Sequence, residues 1–417
     1  MLLMVNYFTT EMQGYFYTFG SILALRVFFE SGFGIVIVSF VSKEWANLSF
    51  NKDGEVEGDL TSKLNLFSLS KIVFKWHFLG GLIALFCLWF GGYLFFSLKN
   101  GSSNISWEAP WFFLCICTVI NMWLLPSLFI LEGCNQIRQL YSYRLIQGIC
   151  SSIVLWLALI FGLGLWASAL SALAGVITLI IFNVNKYKNF FLQIFVSKFK
   201  PTLSWKTHLL PMQWRIGVTW ISAYFVSSFF TPLIFQYQGA EEAGKFGMTW
   251  SLFSVLGAFA STWISTKIPL FGIYVAKKDY VNLDKIFHKL SKITIGVFLI
   301  GAICIWVGIF FLNSFNSDFI KNLSNRFIQP KTLAILLLGF FFSFVTQPFA
   351  IYMRAHGKEP YFFINFIISI LICVFSWIFV KTFSTMGVAM VYFLIMSFFS
   401  FPCMMLIWYK FKKNLYC

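Results

Sequence analysis

Eleven stretches of about twenty residues, each nearly free of charge, recur along the chain at 15–41, 73–98, 110–131, 145–163, 166–184, 211–235, 246–268, 293–313, 332–350, 361–381 and 386–409. A helix of ~20 apolar residues is what crosses the ~30 Å hydrocarbon core of a bilayer. Lipid leaves no water to satisfy a bare backbone, so such runs must close their hydrogen bonds internally, as helices. The pattern predicts an all-α polytopic membrane protein with about eleven transmembrane helices. Composition excludes the soluble alternative: 59% of the 417 residues are hydrophobic, 21% aromatic and only 11% charged. A soluble domain carries about 25% charged residues to face water.

The net charge of +16 does not read as a nucleic-acid surface, because it lies between the apolar runs rather than on one soluble face. It alternates. Segments 43–75, 138–144, 186–215, 267–292, 354–358 and 410–413 hold 24 of the 31 Lys and Arg, whereas the opposite loops hold six. The positive-inside rule then puts the C-terminus in the cytoplasm and Met1 on the far side.

The chemistry of catalysis is missing from the motifs. The nine cysteines sit mostly inside apolar runs, and the four histidines lie far apart. No Walker loop, Ser/His/Asp arrangement, HExxH or CxxC pair occurs. No metal and no cofactor is expected, and the chain reads as a non-enzyme. The acids at 53–59 (Asp53, Glu55, Glu57, Asp59), interleaved with Lys52 and Lys63, read as a solvated loop.

The chain repeats weakly. Glu11-Met-Gln-Gly14-Tyr-Phe16 aligns with Glu241-Glu-Ala-Gly244-Lys-Phe246 at an offset of 230, Pro126 with Pro348 at 222, and Gly164-Leu165 with Gly387-Val388 at 223. Matches in the same order predict parallel halves of the kind found in secondary transporters. The second half has six spans and the first only five, with Met1–Phe8 where another should stand. A first helix that is truncated, or encoded upstream, is expected. The division is 1–184 as N-terminal lobe, 185–210 as linker and 211–417 as C-terminal lobe. The linker carries Lys186, Lys188, Lys198, Lys200 and Lys206, with Phe190, Phe191, Ile194, Phe195 and Phe199 at helical spacing. It reads either as an amphipathic segment on the headgroups or as a plain basic loop.

Four segments carry a resemblance: Phe8-Thr-Thr-Glu-Met-Gln-Gly-Tyr-Phe-Tyr-Thr-Phe-Gly-Ser21, Leu131-Glu-Gly-Cys-Asn-Gln-Ile-Arg138, Leu210-Pro-Met-Gln-Trp-Arg215 and Ala243-Gly-Lys-Phe-Gly-Met-Thr249. They resemble the bacterial polysaccharide and O-antigen flippases of the multidrug/oligosaccharidyl-lipid/polysaccharide (MOP) exporter superfamily. The resemblance implies a two-lobed fold of six plus six helices about a cavity. It also implies movement of an undecaprenyl-pyrophosphate-linked repeat unit for O-antigen, capsule or exopolysaccharide, with membrane lipids and other polysaccharide-assembly proteins as partners. A multidrug antiporter of the same fold is the alternative. A membrane polymerase or glycosyltransferase fits less well, since the outward loops are short and no paired acids lie in the spans.

Arg26 and Glu30 are the only charges well inside a predicted span. Insertion scales set their cost at ~2.5–3.5 kcal/mol each, so both should face protein or a wet cavity. Four residues apart, they share a helix face and can pair. Arg26 is expected to meet the substrate pyrophosphate, and Glu30 to release Arg26 when the lipid arrives or to take up a coupling proton or sodium ion; the alternative is a structural pair. Arg215 and Lys267, near span ends, either attract a phosphate headgroup or snorkel to the interface. Gln213, Asn121, Trp220 and Tyr224 are expected among a sugar-facing lining, with Gln236, Trp123 and Trp263 as further members. Pro126, Pro232 and Pro348 are expected to kink helices.

Overall fold

The computed structural model describes residues 2–30, 32–98, 105–197, 210–312, 317–356 and 361–416. It is helical almost throughout. Helices α1 (Leu2–Tyr7) and α2 (Thr10–Leu23) lead through a 3-10 turn, Ala24–Arg26, into α3 (Val27–Glu30) and α4 (Phe33–Trp45). The long helices α5 (Leu60–Ser97), α6 (Glu108–Gly133), α7 (Ile137–Ile160) and α8 (Trp166–Val196) follow. Then come α9 (Leu210–Ser227), α10 (Phe230–Gln238), α11 (Ala240–Ser265), α12 (Ile268–Ala276) and α13 (Tyr280–Leu312). The chain ends with α14 (Asp318–Ser324), α15 (Pro330–Ala355), α16 (Phe362–Leu394), a π turn at Ile395–Ser400 and α17 (Phe401–Tyr416). The one exception to an all-helical reading is an antiparallel hairpin of strands β1 (Leu48–Phe50) and β2 (Val56–Gly58).

Among the described residues seven helices are long and apolar enough to cross a bilayer, and the pair Ile216–Ser227 and Phe230–Gln238, bent by 40°, makes an eighth. One of the seven, Phe362–Lys413, runs for 52 residues. Its middle residue Ser384 has φ 54 and ψ −147, and Gly387 turns back against the Phe379 carbonyl. That run is therefore a hairpin, and its arms match the two spans expected at 361–381 and 386–409. The expected runs at 15–41 and 246–268 fall on the broken series α2–α4 and on α11. The molecule is a multi-pass membrane protein.

The described chain forms two compact units. The N-terminal unit comprises Leu2–Phe8 and Phe19–Tyr224, and the C-terminal unit Thr9–Thr18 and Phe225–Cys417.

In the N-terminal unit, glycines on α5 admit large rings from α6. Gly81 lies under Trp123 and Gly92 under Trp111, eleven residues apart and so on one face. The indole nitrogens of Trp123 and Trp111 then donate to the Phe78 and Trp89 carbonyls at 3.2 and 3.4 Å. Trp123 thus packs on α5. Beyond the spans, Leu48 and Val56 of the hairpin join a core with Val41, Leu66, Phe190 and Ile194. The Val56 N–H donates to Gln193 Oε1 at 2.8 Å, Asn189 donates to the Asp53 carbonyl at 2.8 Å, and the Phe50 ring meets Phe190 at 5.3 Å. The apolar stripe of the linker thus packs on its own unit at Phe190 and Ile194, while Phe195 stays exposed. Residues 198–209 of that linker lie outside the described residues.

In the C-terminal unit, Phe230, Trp250 and Tyr392 interlock with ring centroids 5.4–5.6 Å apart. At one end, Asp284 accepts from the Tyr352 hydroxyl at 2.8 Å and pairs with Lys412 at 2.7 Å, tying α17 to α13 and α15. The repeat-equivalent segments at 10–17 and 240–247 cross here. Gln13, fully buried, donates to the Gly244 carbonyl at 2.9 Å and to the Arg326 carbonyl at 3.2 Å.

Candidate functional site

The span expected at 15–41 is broken, and the break makes the site. After α2 the chain tightens at Ala24–Arg26, and Gly32 takes the left-handed conformation (φ 70, ψ 15) before α4 resumes. A side chain at Gly32 would strike Ile216 Cγ2 and lie 3.2 Å from Gly217 N on α9; one at Gly34 would lie 2.6 Å from the Phe129 ring on α6. Two glycines therefore let an irregular segment nest between two helices. Irregular backbone at membrane depth is tolerated where it is buried in protein or lines a cavity. Trp76 on α5 donates its indole N–H to the Phe29 carbonyl at 3.4 Å, supporting a backbone oxygen next to the break.

Beside the break lies a cavity of about 420 Å³, lined by Val27, Glu30, Gly32, Phe33, Gly34, Val38 and Ser39 from the broken span, Phe129 and Glu132 from α6, and Trp220 from α9. All belong to the N-terminal unit. Its walls are mostly hydrocarbon and aromatic, with two carboxylates set into them.

Each carboxylate has an arginine partner. Arg26 Nε stands 3.4 Å from Glu30 Oε1, with the arginine side chain 42% exposed and the glutamate 17%. The contact is ionic but not an aligned hydrogen bond, so Glu30 Oε1 is buried and accepts none among the described residues. Arg144 Nη2 stands 3.5 Å from Glu132 Oε2, and its guanidinium leans over the Tyr141 ring at 5.6 Å. Neither arginine forms part of the cavity wall. Among the described residues the charged groups of the lining are thus the two carboxylates, each with a guanidinium beside it outside the lining.

Of the residues expected from sequence, Arg26, Glu30 and Trp220 are brought to this place, with Trp220 46% exposed. Tyr224 is buried and packs edge-on to Phe28 at 5.7 Å, so it braces the broken span from α9. Gln213 is buried on α9, and Asn121 is half-buried on α6; neither lines the cavity. The backbone of Arg215 is in α9, but its side chain lies outside the described residues. Lys267 is exposed at the N-cap of α12, in the C-terminal unit. Trp263 is exposed on α11 and Gln236 half-buried on α10, both in that unit too.

Sequence reasoning missed Glu132, Phe33, Phe129 and Ser39 as lining. Glu132 falls one residue beyond the run 110–131 and so read as loop; the helix continues to Gly133 and keeps it on the wall. Among the described residues no group of His, Cys, Asp or Glu has the geometry to hold a metal ion.

No family model and no curated protein matches the sequence. Solved structures do. An inward-facing multidrug-resistance MATE-family transporter of the MOP superfamily aligns over 99% of this chain and 94% of its own, with TM-score 0.71 and 13% identity. The lipid II flippase MurJ, in an inward closed conformation, aligns over 97% and 83%, with TM-score 0.63 and 16% identity. A MOP-superfamily transporter from Pyrococcus furiosus, described as having a binding pocket of reversed polarity, aligns over 98% and 88%, with TM-score 0.52 and 14% identity. At these identities the likeness speaks for architecture, and over nearly the whole chain that architecture is the fold these structures share.

Proposed function

We propose that this protein is an alternating-access transporter that carries a lipid-pyrophosphate-linked oligosaccharide across the bacterial inner membrane. The observation that carries the reading is a half-exposed Arg26, held by Glu30 at a helix break beside an aromatic cavity. An arginine at membrane depth costs free energy that packing alone does not require. Held by one oblique contact, it keeps donors to offer a phosphate, and an arriving diphosphate would exchange with the Glu30 carboxylate. Glu30, released, is then the group that takes up a coupling proton or sodium ion. The aromatic walls suit sugar rings. The four sequence segments support the flippase reading, and the fold supports transport.

The test is reconstitution into liposomes with a fluorescent polyprenyl-diphosphate glycan, scored by access of a membrane-impermeant quencher. Transfer between leaflets that is lost in Arg26→Ala supports the reading. A wild-type protein that leaves the lipid in its original leaflet overturns it.

A second reading, an exporter of amphipathic organic cations, is favoured by the carboxylates Glu30 and Glu132 on the cavity wall. Gradient-driven uptake of tetraphenylphosphonium by everted vesicles, with no glycan transfer, would establish it instead.

A further inference from the structure

We infer that the cavity of the N-terminal unit selects a sugar bearing a protonated amine over one bearing a carboxylate, and that Glu132 sets this choice. The inference rests on the transport reading only in taking sugar as the ligand. Among the described residues, the polar side chains of the lining are those of Glu30, Glu132, Ser39 and Trp220. Arg26 and Arg144, which neutralise the two acids in sum, are not among the lining residues, so the charged side chains described in the wall are both acidic. The remaining lining is apolar, and in such surroundings a nearby charge is felt far more strongly than in water.

Carboxylates accept hydrogen bonds from sugar hydroxyls and more strongly from an ammonium group, since a charged donor shortens and strengthens the bond. A uronic acid placed there would meet two like charges. Trp220, half-exposed, offers a flat face for the ring. The volume, about 420 Å³, suits the end of a glycan rather than a long chain. Both acids have an arginine partner, but Glu132 is the discriminating one because it is 40% exposed against 17% for Glu30.

The experiment uses purified full-length protein in detergent and saturation-transfer NMR with methyl glucosaminide, methyl glucoside and glucuronate as probes. The amino sugar should bind about tenfold more tightly than the neutral one, with glucuronate weakest. Glu132→Gln should bring the ratio of the first two close to one, and Glu132→Asp should retain part of it. Should Glu132→Gln fail to elute as a single species, Arg144→Gln takes its place: it strips the counter-ion and should raise the ratio. Equal binding of all three probes by the wild type, a preference for glucuronate, or an unchanged ratio in a folded Glu132→Gln protein overturns the inference. So does displacement of tetraphenylphosphonium with no sugar signal. Failure of lipid-linked glycan transfer overturns the transport reading alone, because the binding ratio is measured without lipid or gradient.

Discussion

At the scale of single residues, the Arg26–Glu30 pair is either a strut or a working contact, and stability separates the two. Arg26→Ala leaves a carboxylate without its partner, and Glu30→Gln leaves an arginine without its own. Solvent reaches the half-exposed arginine, so each single change should cost about 1–2 kcal/mol, below the 3–5 kcal/mol of a fully buried pair. The double variant should recover most of that loss in thermal melts yet remain inactive in leaflet transfer. Recovery of transfer along with stability would mark the pair as a strut. Gly32→Ala is a second case. Its left-handed backbone and the Ile216 methyl behind it both oppose a side chain, and about 1–3 kcal/mol of destabilisation is expected in a melt. The ion pair was legible from spacing alone, because residues four apart share a helix face. The break was not, since nothing in the run 15–41 discloses that Ile216 and Phe129 press on Gly32 and Gly34. The carboxylate lining was hidden for the same reason: which end of an ion pair faces a void is decided by its neighbours.

At the scale of elements, two ends are open to test. Helix α5 spans 38 residues and so extends, at roughly 57 Å, well past the hydrocarbon. Its cap is Asp59, whose carboxylate accepts from the Thr61 hydroxyl and from the Ser62 N–H at 2.8 Å. The hydroxyl first, then the backbone N–H, holds the Asp59 carboxyl below its usual range. A depressed carboxyl contributes stability above its unfolded pKa and loses it as pH falls through the folded one. Asp59→Asn keeps an acceptor but no charge. The wild type should therefore melt higher near neutrality, and the difference should shrink towards zero on acidification; a pH-independent difference would refute the assignment. The second end is Ser384. Its φ 54 and ψ −147 fall where glycine is at ease, while its hydroxyl donates to Gln238 Oε1 at 2.9 Å. Ser384→Ala keeps the strain and loses the bond, so a loss of about 1 kcal/mol is expected. Ser384→Gly relieves the strain and should match or exceed the wild type in a melt. The hairpin itself was legible as two apolar runs; the serine at its turn was not, because serine carries no backbone signature of its own.

At the scale of the whole molecule, the weak repeat becomes geometry. Pro126 lies inside α6 and Pro348 inside α15, and the turn residues Gly162 (φ 69) and Ser384 (φ 54) stand at the same offset of 222. The third pairing is the most telling. Within the C-terminal unit, Gly14 packs on the backbone of Ala240, while a methyl on Gly244 would lie 2.8 Å from Gly14 N and 3.1 Å from the Thr10 carbonyl oxygen. Residues 10 and 14 correspond to 240 and 244 at the offset of 230, so each half of the crossing is the image of the other. The sequence disclosed the correspondence through Glu11 and Glu241 and their following glycines. That the two glycines touch was beyond it, since a repeat gives equivalence and not proximity. Equivalent in sequence, the two glycines are not equally tight. Gly14→Ala and Gly244→Ala each force a methyl into backbone that cannot swing aside, but the clearances differ: 1.9 Å to the Ala240 carbonyl oxygen at position 14 against 2.8 Å to Gly14 N at position 244. Gly244→Ala should cost about 1–3 kcal/mol by melting, and Gly14→Ala more. Gly20, on the same helix with nothing within 4 Å of an added methyl, should tolerate alanine or gain up to about 1 kcal/mol from helix propensity. A larger loss at 244 than at 14, or a loss at 20 as large as either, would show that the crossing is not the close glycine contact described.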